Sequence, residues 1–376
     1  MNFVLFIDII LFVLFFQILS LTPFLLFNNQ KKGLSNKILA LFLLSKALCI
    51  SNFISFRLFP YTLEYFPHAF FFGSSFTVLW GPGIYFYTKS LVNIDFKFKK
   101  KDLIHLLPFS AHFVYLLFAF HLHSAAIKRE LVLNHAVFST LSSQTILGLI
   151  HIIIFIYLLA SLKVIIDYRT NIKNSFSSIE KINLSWMIFV LAGFSIKWSA
   201  DVWMYFNGLF GLSEELPLVI SRLALFLFVN IVIYKGLKQP EIFSGILEVQ
   251  PAKRPFLSKS LEEQYLEKLS AYMVSKKPYL NPDITLMDLA EHVSIPYRAL
   301  SEVINNKLKQ NFYDFINSYR IHDSKKLLLE KSEKLKTILE ILYEVGYNSK
   351  SSFNNAFKKF TGMTPTEYRR SYEINQ

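Results

Sequence analysis

The sequence predicts an all-α protein: a bundle of seven transmembrane helices, then a soluble helical domain. Three observations carry this. Apolar runs recur through the first 235 residues, and ~20 helical residues cross a bilayer core. Lys and Arg concentrate in alternate loops between those runs. After Tyr234 the chain turns polar, and from about residue 258 it keeps a helical period, with no strand-like alternation.

The bulk numbers fit that division. Of 376 residues, 53% are hydrophobic and 16% aromatic, and mean hydropathy is +0.36. A net charge of +13 suits anionic headgroups or nucleic acid, and the positions of the charges decide between them. The single Cys49 excludes an intramolecular disulfide and a multi-cysteine metal site. Within an apolar run it reads as a small hydrophobe. The N-terminus has no basic n-region, and Phe3 to Phe27 exceeds the ~7–15 residues of a signal-peptide core. It is therefore expected to stay as a span.

The seven apolar segments are 3–27, 34–56, 69–91, 103–122, 144–166, 184–206 and 216–235. They make residues 1–235 a membrane domain. Lipid leaves the backbone few alternatives to helix. The first loop holds Lys31, Lys32 and Lys37; the third Lys89, Lys97, Lys99, Lys100 and Lys101; the fifth Lys163, Arg169, Lys173 and Lys181. The other loops hold only Arg57, Lys128 and Arg129. Basic residues accumulate on the cytoplasmic side. The N-terminus is then outside and, after seven crossings, the C-terminus is cytoplasmic. Residues 236–257 carry Pro240, Pro251 and Pro255 without a helical period and read as a linker.

Residues 258–376 are soluble, with 18 basic and 15 acidic side chains. Leu286, Leu289, Ala290 and Val293 fall at helical spacing, then Ser294-Ile295-Pro296 breaks the run. Pro is tolerated at a helix start because its missing N–H would be unpaired there. The next helix buries Leu300, Val303 and Ile304, which makes a helix-turn-helix unit. Arg298, Ser301, Glu302 and Asn305 are left outward, able to meet base edges. The pattern recurs. Ile338, Ile341, Leu342 and Val345 point inward; Gly346 suits a left-handed helix end; Asn348 or Ser349 caps the next helix. That helix buries Phe353, Phe357 and Phe360 and presents Lys350, Ser351, Asn354, Asn355 and Lys358. Between the two units NFYDFINSYRIHDSKKLLLE forms one amphipathic helix. It is placed to hold them about one DNA turn (~34 Å) apart.

These residues carry a resemblance. From about residue 262 to 371 the chain is similar to the DNA-binding domain of the AraC/XylS family of bacterial transcription regulators. VGYNSKSSFNNAFKKFTGMTPTEYR matches that family's signature over nearly its whole length, and RIHDSKKLL resembles its linker helix. The resemblance implies seven helices with two helix-turn-helix units reading successive major grooves of duplex DNA. It places base contacts at Arg298, Ser301, Glu302, Asn305, Lys350, Ser351, Asn354 and Asn355, and phosphate contacts at Lys307, Lys358 and Lys359. Ser324 and Leu342 stand where Ala is usual, and NKLKQN replaces a basic, Gly-containing stretch. With LWGPGIYFYTKSL, the apolar half resembles a membrane-anchored subgroup of the family. That implies a multi-pass protein of the bacterial inner membrane. A signal, small molecule or protein, would shift its helices and the dimeric state of its tail.

Charges inside spans are costly. Lys197 and Asp201, four apart in the sixth span, share a helix face. They read as a neutralising pair or as one wall of an intramembrane signal site. Asp8, Lys46 and Arg222 are expected near span ends, snorkelling to the interface. Gly81-Pro82-Gly83 should loosen the third span. His68, His121, His123 and His135 lack metal-ligand spacing, and no metal or cofactor is expected. There is no phosphate loop, zinc-protease helix or nucleophile elbow, so the chain does not read as an enzyme. The competing reading is a seven-helix receptor or transporter whose tail is a protein-docking module.

Overall fold

The computed structural model describes residues 3–27, 33–93, 95–180, 182–238, 257–330 and 335–374. Most of the expected linker, with Pro240, Pro251 and Pro255, lies outside the described residues, as do Lys31, Lys32 and Lys181. The chain divides into two compact units. One is Met1–Ile166 with Leu184–Leu247; the other is Asp167–Asn183 with Glu248–Gln376.

The N-terminal unit contains α1 Phe3–Phe27, α2 Gly33–Arg57, α3 Phe59–Tyr65, α4 Trp80–Val92, α5 Leu107–Leu116, α6 Ala125–Leu133, α7 Ala136–Ser139, most of α8 Leu141–Lys173, α9 Ser185–Phe210 and α10 Glu215–Lys238. Among the described residues six stretches are long and apolar enough to cross a membrane: Asp8–Phe27, Leu34–Arg57, Lys100–His121, Leu141–Lys173, Ser185–Phe210 and Glu215–Val232. α1 packs on α2 and α10, α9 on α10, and α2 on α4.

The expected third span, 69–91, has a different form. Its first part is 3-10 turns, Pro67–Ala69 and Ser74–Leu79, and only Trp80–Val92 is α-helical. Nine of those thirteen residues are buried, Tyr87, Thr88 and Ser90 among them. A helix walled in by protein needs no uniformly apolar surface, which explains its polar content. Pro82 lies in the first turn of α4, where its missing N–H costs nothing, so the helix starts there instead of loosening. The flanking glycines serve close packing. A Cβ at Gly81 would lie 2.6 Å from the Tyr157 ring, and one at Gly83 2.5 Å from Phe42.

The snorkelling expectation is overturned. Asp8 and Arg222 are buried, and Arg222 Nη1 lies 3.2 Å from Asp8 Oδ1, while Arg57 Nε lies 2.5 Å from Asp8 Oδ2. Lys46 is completely buried with its ammonium 3.1 Å from the Trp80 ring centroid. Pairing and ring contacts replace water because a lone charge in such surroundings is expensive.

The C-terminal unit contains α11 Lys259–Lys276, α12 Leu286–His292, α13 Tyr297–Glu302, α14 Phe312–Leu329, α15 Ile338–Glu344, α16 Lys350–Thr361 and α17 Pro365–Ile374. Two apolar clusters hold it. The first joins Leu269, Met273, Leu286, Leu289, Leu300, Ile304, Phe312 and Ile316; the second joins Ile321, Leu328, Ile341, Leu342, Phe353 and Phe357. α14 supplies residues to both, so one helix ties them together.

Candidate nucleic-acid interface

Each of two helix pairs begins with the same device. Thr285 caps α12 and Thr337 caps α15; each side chain accepts from the backbone N–H three residues on, while Asp288 or Glu340 reaches back to the Thr N–H. Such boxes satisfy donors that the first turn leaves orphaned. Ser294 and Gly346 then turn the chain at positive φ, +47° and +88°. A Cβ on Gly346 would sit 2.7 Å from the Tyr279 and Leu280 carbonyl oxygens, so only glycine fits. Ser349, one of the two expected caps, caps α16 by accepting from the Ser352 N–H.

The second helix of each pair presents a polar outer face. On α13 and the π-helical turn Val303–Lys307 that extends it, Arg298 and Lys307 are exposed, and Ser301, Glu302 and Asn305 are half-buried. Asn305 Nδ2 is tied down, donating to the Ser301 carbonyl at 2.9 Å and to its hydroxyl at 3.1 Å. On α16, Lys350, Ser351, Asn355, Lys358 and Lys359 are exposed and Asn354 is half-buried. Phe353 and Phe357 are fully buried beneath them. Lys359 Nζ is engaged by both carboxylate oxygens of Asp314, at 2.6 and 2.7 Å. Lys307 Nζ lies 3.6 Å from Glu263 Oε1. Chemically these faces offer amide, hydroxyl and cationic groups, which suit base edges and phosphates.

Sequence reasoning missed Arg320. It is 1% exposed, yet its guanidinium donates to the carbonyls of Tyr279 (2.7 Å) and Asn281 (2.8 Å) and lies 5.3 Å from the Tyr347 ring centroid. It therefore links the segment leading into α12 to the turn between α15 and α16. Only a helical-wheel position on the buried face of α14 could have pointed to it. Near it Asp323 accepts from the Tyr279 hydroxyl at 2.7 Å and pairs with Lys277 and Lys326. Burial alone would raise this carboxyl, but the Tyr279 hydrogen bond and the two ammonium groups outweigh it and hold Asp323 below its ordinary value.

In the N-terminal unit the structure brings Lys197 and Asp201 together as a direct ion pair, and the Ser221 hydroxyl donates to Asp201 Oδ1 at 2.5 Å. The Lys197 ammonium also lies 4.3 Å from the Trp80 ring centroid.

Comparison with known proteins falls on the C-terminal unit. A family described as "Helix-turn-helix domain" matches residues 289–371. An uncharacterized HTH-type transcriptional regulator of Staphylococcus aureus strain COL is 34% identical over 91 residues, 24% of this chain and 12% of that protein. The melibiose operon regulatory protein of Escherichia coli K12 is 31% identical over 87 residues, 23% of this chain and 28% of that protein. The chain thus spans well under a third of the length of these relatives. Among solved structures, the C-terminal domain of AraT, a response regulator from Geobacillus stearothermophilus, is 28% identical over 31% of this chain and 88% of that one, with a TM-score of 0.25. The C-terminal unit carries a helix-turn-helix domain.

Proposed function

We propose that this chain is a membrane-bound transcription regulator of the AraC/XylS type. Its apolar half would receive a signal at or in the inner membrane, and its cytoplasmic tail would bind promoters sequence-specifically. The observation that carries this is the pair of polar helix faces, α13 and α16, each presented by an apolar cluster and joined by α14. A solvated surface needs no such repeat of cap, turn and presented face. Two helix-turn-helix units on one chain suit successive major grooves. Arg298, Ser301, Glu302, Asn305, Lys350, Ser351, Asn354 and Asn355 contact bases in this reading, and Lys307, Lys358 and Lys359 contact phosphates.

On the membrane side the reading takes seven crossings, counting 69–91 as an inner helical span, with the N-terminus outside and the tail in the cytoplasm. The six long apolar helices and the alternating loop charge support it. Lys197 and Asp201 are the place where an intramembrane signal would act. A ligand shifts such an equilibrium only by binding one state better than the other.

The test is DNA selection with the full chain in lipid nanodiscs, starting from a random duplex pool. The full chain is required because the C-terminal unit includes Asp167–Asn183. The expected winner has two half-elements about one turn (~34 Å) apart. Lys350→Ala and Asn354→Ala should each weaken it or relax it at one position, by roughly 1–3 kcal/mol. Salt-sensitive binding with no sequence preference, indifferent to both substitutions, would overturn the reading.

A further inference from the structure

One part of the C-terminal unit comes from far upstream in sequence. The segment Asp167–Asn183, between α8 and α9, belongs to it. Within that segment Ser175–Ser177 runs antiparallel to Ile284–Leu286, with an isolated bridge between Phe176 and Thr285. The Leu286 N–H donates to the Ser175 carbonyl at 2.9 Å, and the Ser177 N–H to the Ile284 carbonyl at 3.3 Å. Leu286 is the first residue of α12, so Ser175 satisfies one of the orphan donors that a helix start leaves open. The Ser177 hydroxyl, on a residue only 2% exposed, donates to the Ile284 carbonyl at 2.7 Å. The Ser175 hydroxyl lies 3.1 Å from the Tyr297 hydroxyl, and Tyr297 is the first residue of α13. Three residues therefore reach the start of both helices in the first pair.

The Ser177 hydroxyl also lies 3.2 Å from the Pro282 carbonyl oxygen and 3.5 Å from Arg320 Nη2. The docking consists of a few hydrogen bonds, which water can replace when the strand leaves. The chain on either side is apolar helix, α8 and α9. Coupling requires an element with two arrangements, and a short docked strand joined to such helices has the form of one.

We propose that Ser175–Ser177 is a coupling strand: docked against Ile284–Leu286 it holds α12 and α13 in the DNA-reading arrangement, and undocking it loosens the first reader. A displacement of α8 or α9 then acts on α13 through this strand, independently of the chain that precedes α11. This assignment rests on the DNA-reading function proposed above.

The experiment is hydrogen exchange by mass spectrometry on the full chain in nanodiscs, with and without the duplex selected as above. Binding and docking are linked, so each must favour the other. In the unmodified protein the duplex should slow exchange in peptides covering 172–180 by about threefold or more. Ser177→Pro removes the N–H and hydroxyl donors together. It should make exchange in 172–180 and 281–287 fast and indifferent to duplex, and weaken apparent Kd about tenfold, while peptides covering 350–361 remain protected by duplex. Ser177→Ala should give an intermediate loss, and Ser178→Ala none. Exchange in 172–180 that is the same with and without duplex overturns the coupling. So does an unchanged or tighter Kd for Ser177→Pro. If the unmodified chain enriches no sequence, the DNA-reading function fails and the coupling falls with it. Enrichment with flat exchange in 172–180 removes the coupling alone.

Discussion

At the residue scale, Arg320 carries most of what is unexpected. Its charge is held by carbonyl dipoles of Tyr279 and Asn281 and an aromatic ring, with no ion-paired carboxylate among the described residues. Truncating it would strand those buried acceptors, and each charged hydrogen bond is worth roughly 1.5–3 kcal/mol. Arg320→Ala should therefore destabilise the C-terminal unit by about 3 kcal/mol or more. Arg320→Lys should recover only part, because an ammonium cannot reproduce the forked donors. Pulse proteolysis of the unit against urea would show it. Asp323 adds a pH dependence. Its carboxyl is depressed in the folded state, so its contribution is complete above the ordinary Asp value of about 3.9 and is lost as pH falls through the lower folded value. The urea midpoint should drop below about pH 4, and Asp323→Asn should flatten that drop while lowering the midpoint at pH 7.

At the element scale, the two helix pairs show how local chemistry fixes a polar outer face. Thr337→Ala removes the cap of α15 and should cost about 1 kcal/mol, as such losses usually do. That should appear as faster exchange across 338–344 with the binding motif unchanged. The lysines of α16 differ although they are neighbours. Lys358 is exposed and forms no ion pair among the described residues, whereas Lys359 is held by Asp314. Lys358→Ala should lower the slope of log Kd against log salt by about 1. Lys359→Ala should lower it by less, since Asp314 already compensates that charge. Equal slopes for the two variants would show that the Asp314 pair gives way to phosphate. In the N-terminal unit, α4 shows the limit of hydropathy as a guide. The apolar run 69–91 gives an α-helix of only 13 residues, Trp80–Val92, preceded by 3-10 turns and largely walled in by protein.

At the scale of the whole molecule, what matters is that the units are joined at three points of the chain. The boundaries fall after residues 166, 183 and 247. Topology is tested by a reporter fused after Gln376 that is active only in the cytoplasm. Cytoplasmic activity supports an odd number of crossings from an outside N-terminus, and activity only outside removes the regulator reading.

The sequence by itself determined the all-helical character and the helix-turn-helix domain, because both rest on short-range physics. Long apolar helices are written in runs of apolar residues; Ser349 writes a helix start and Gly346 a turn. Seven segments were legible and six appear as long apolar helices, since 69–91 forms 3-10 turns and an α-helix of only 13 residues. The polar faces of α13 and α16 were legible for the same reason, as the complement of a buried period. What only tertiary structure decided are contacts between residues far apart in the chain. Asp8 with Arg222, Arg320 with the Tyr279 carbonyl, Lys359 with Asp314 and Ser177 with Ile284 all bridge 41 or more positions. No periodicity encodes such a pairing. It arises because burial strips water from each polar group and leaves it to find whichever partner the packing brings near.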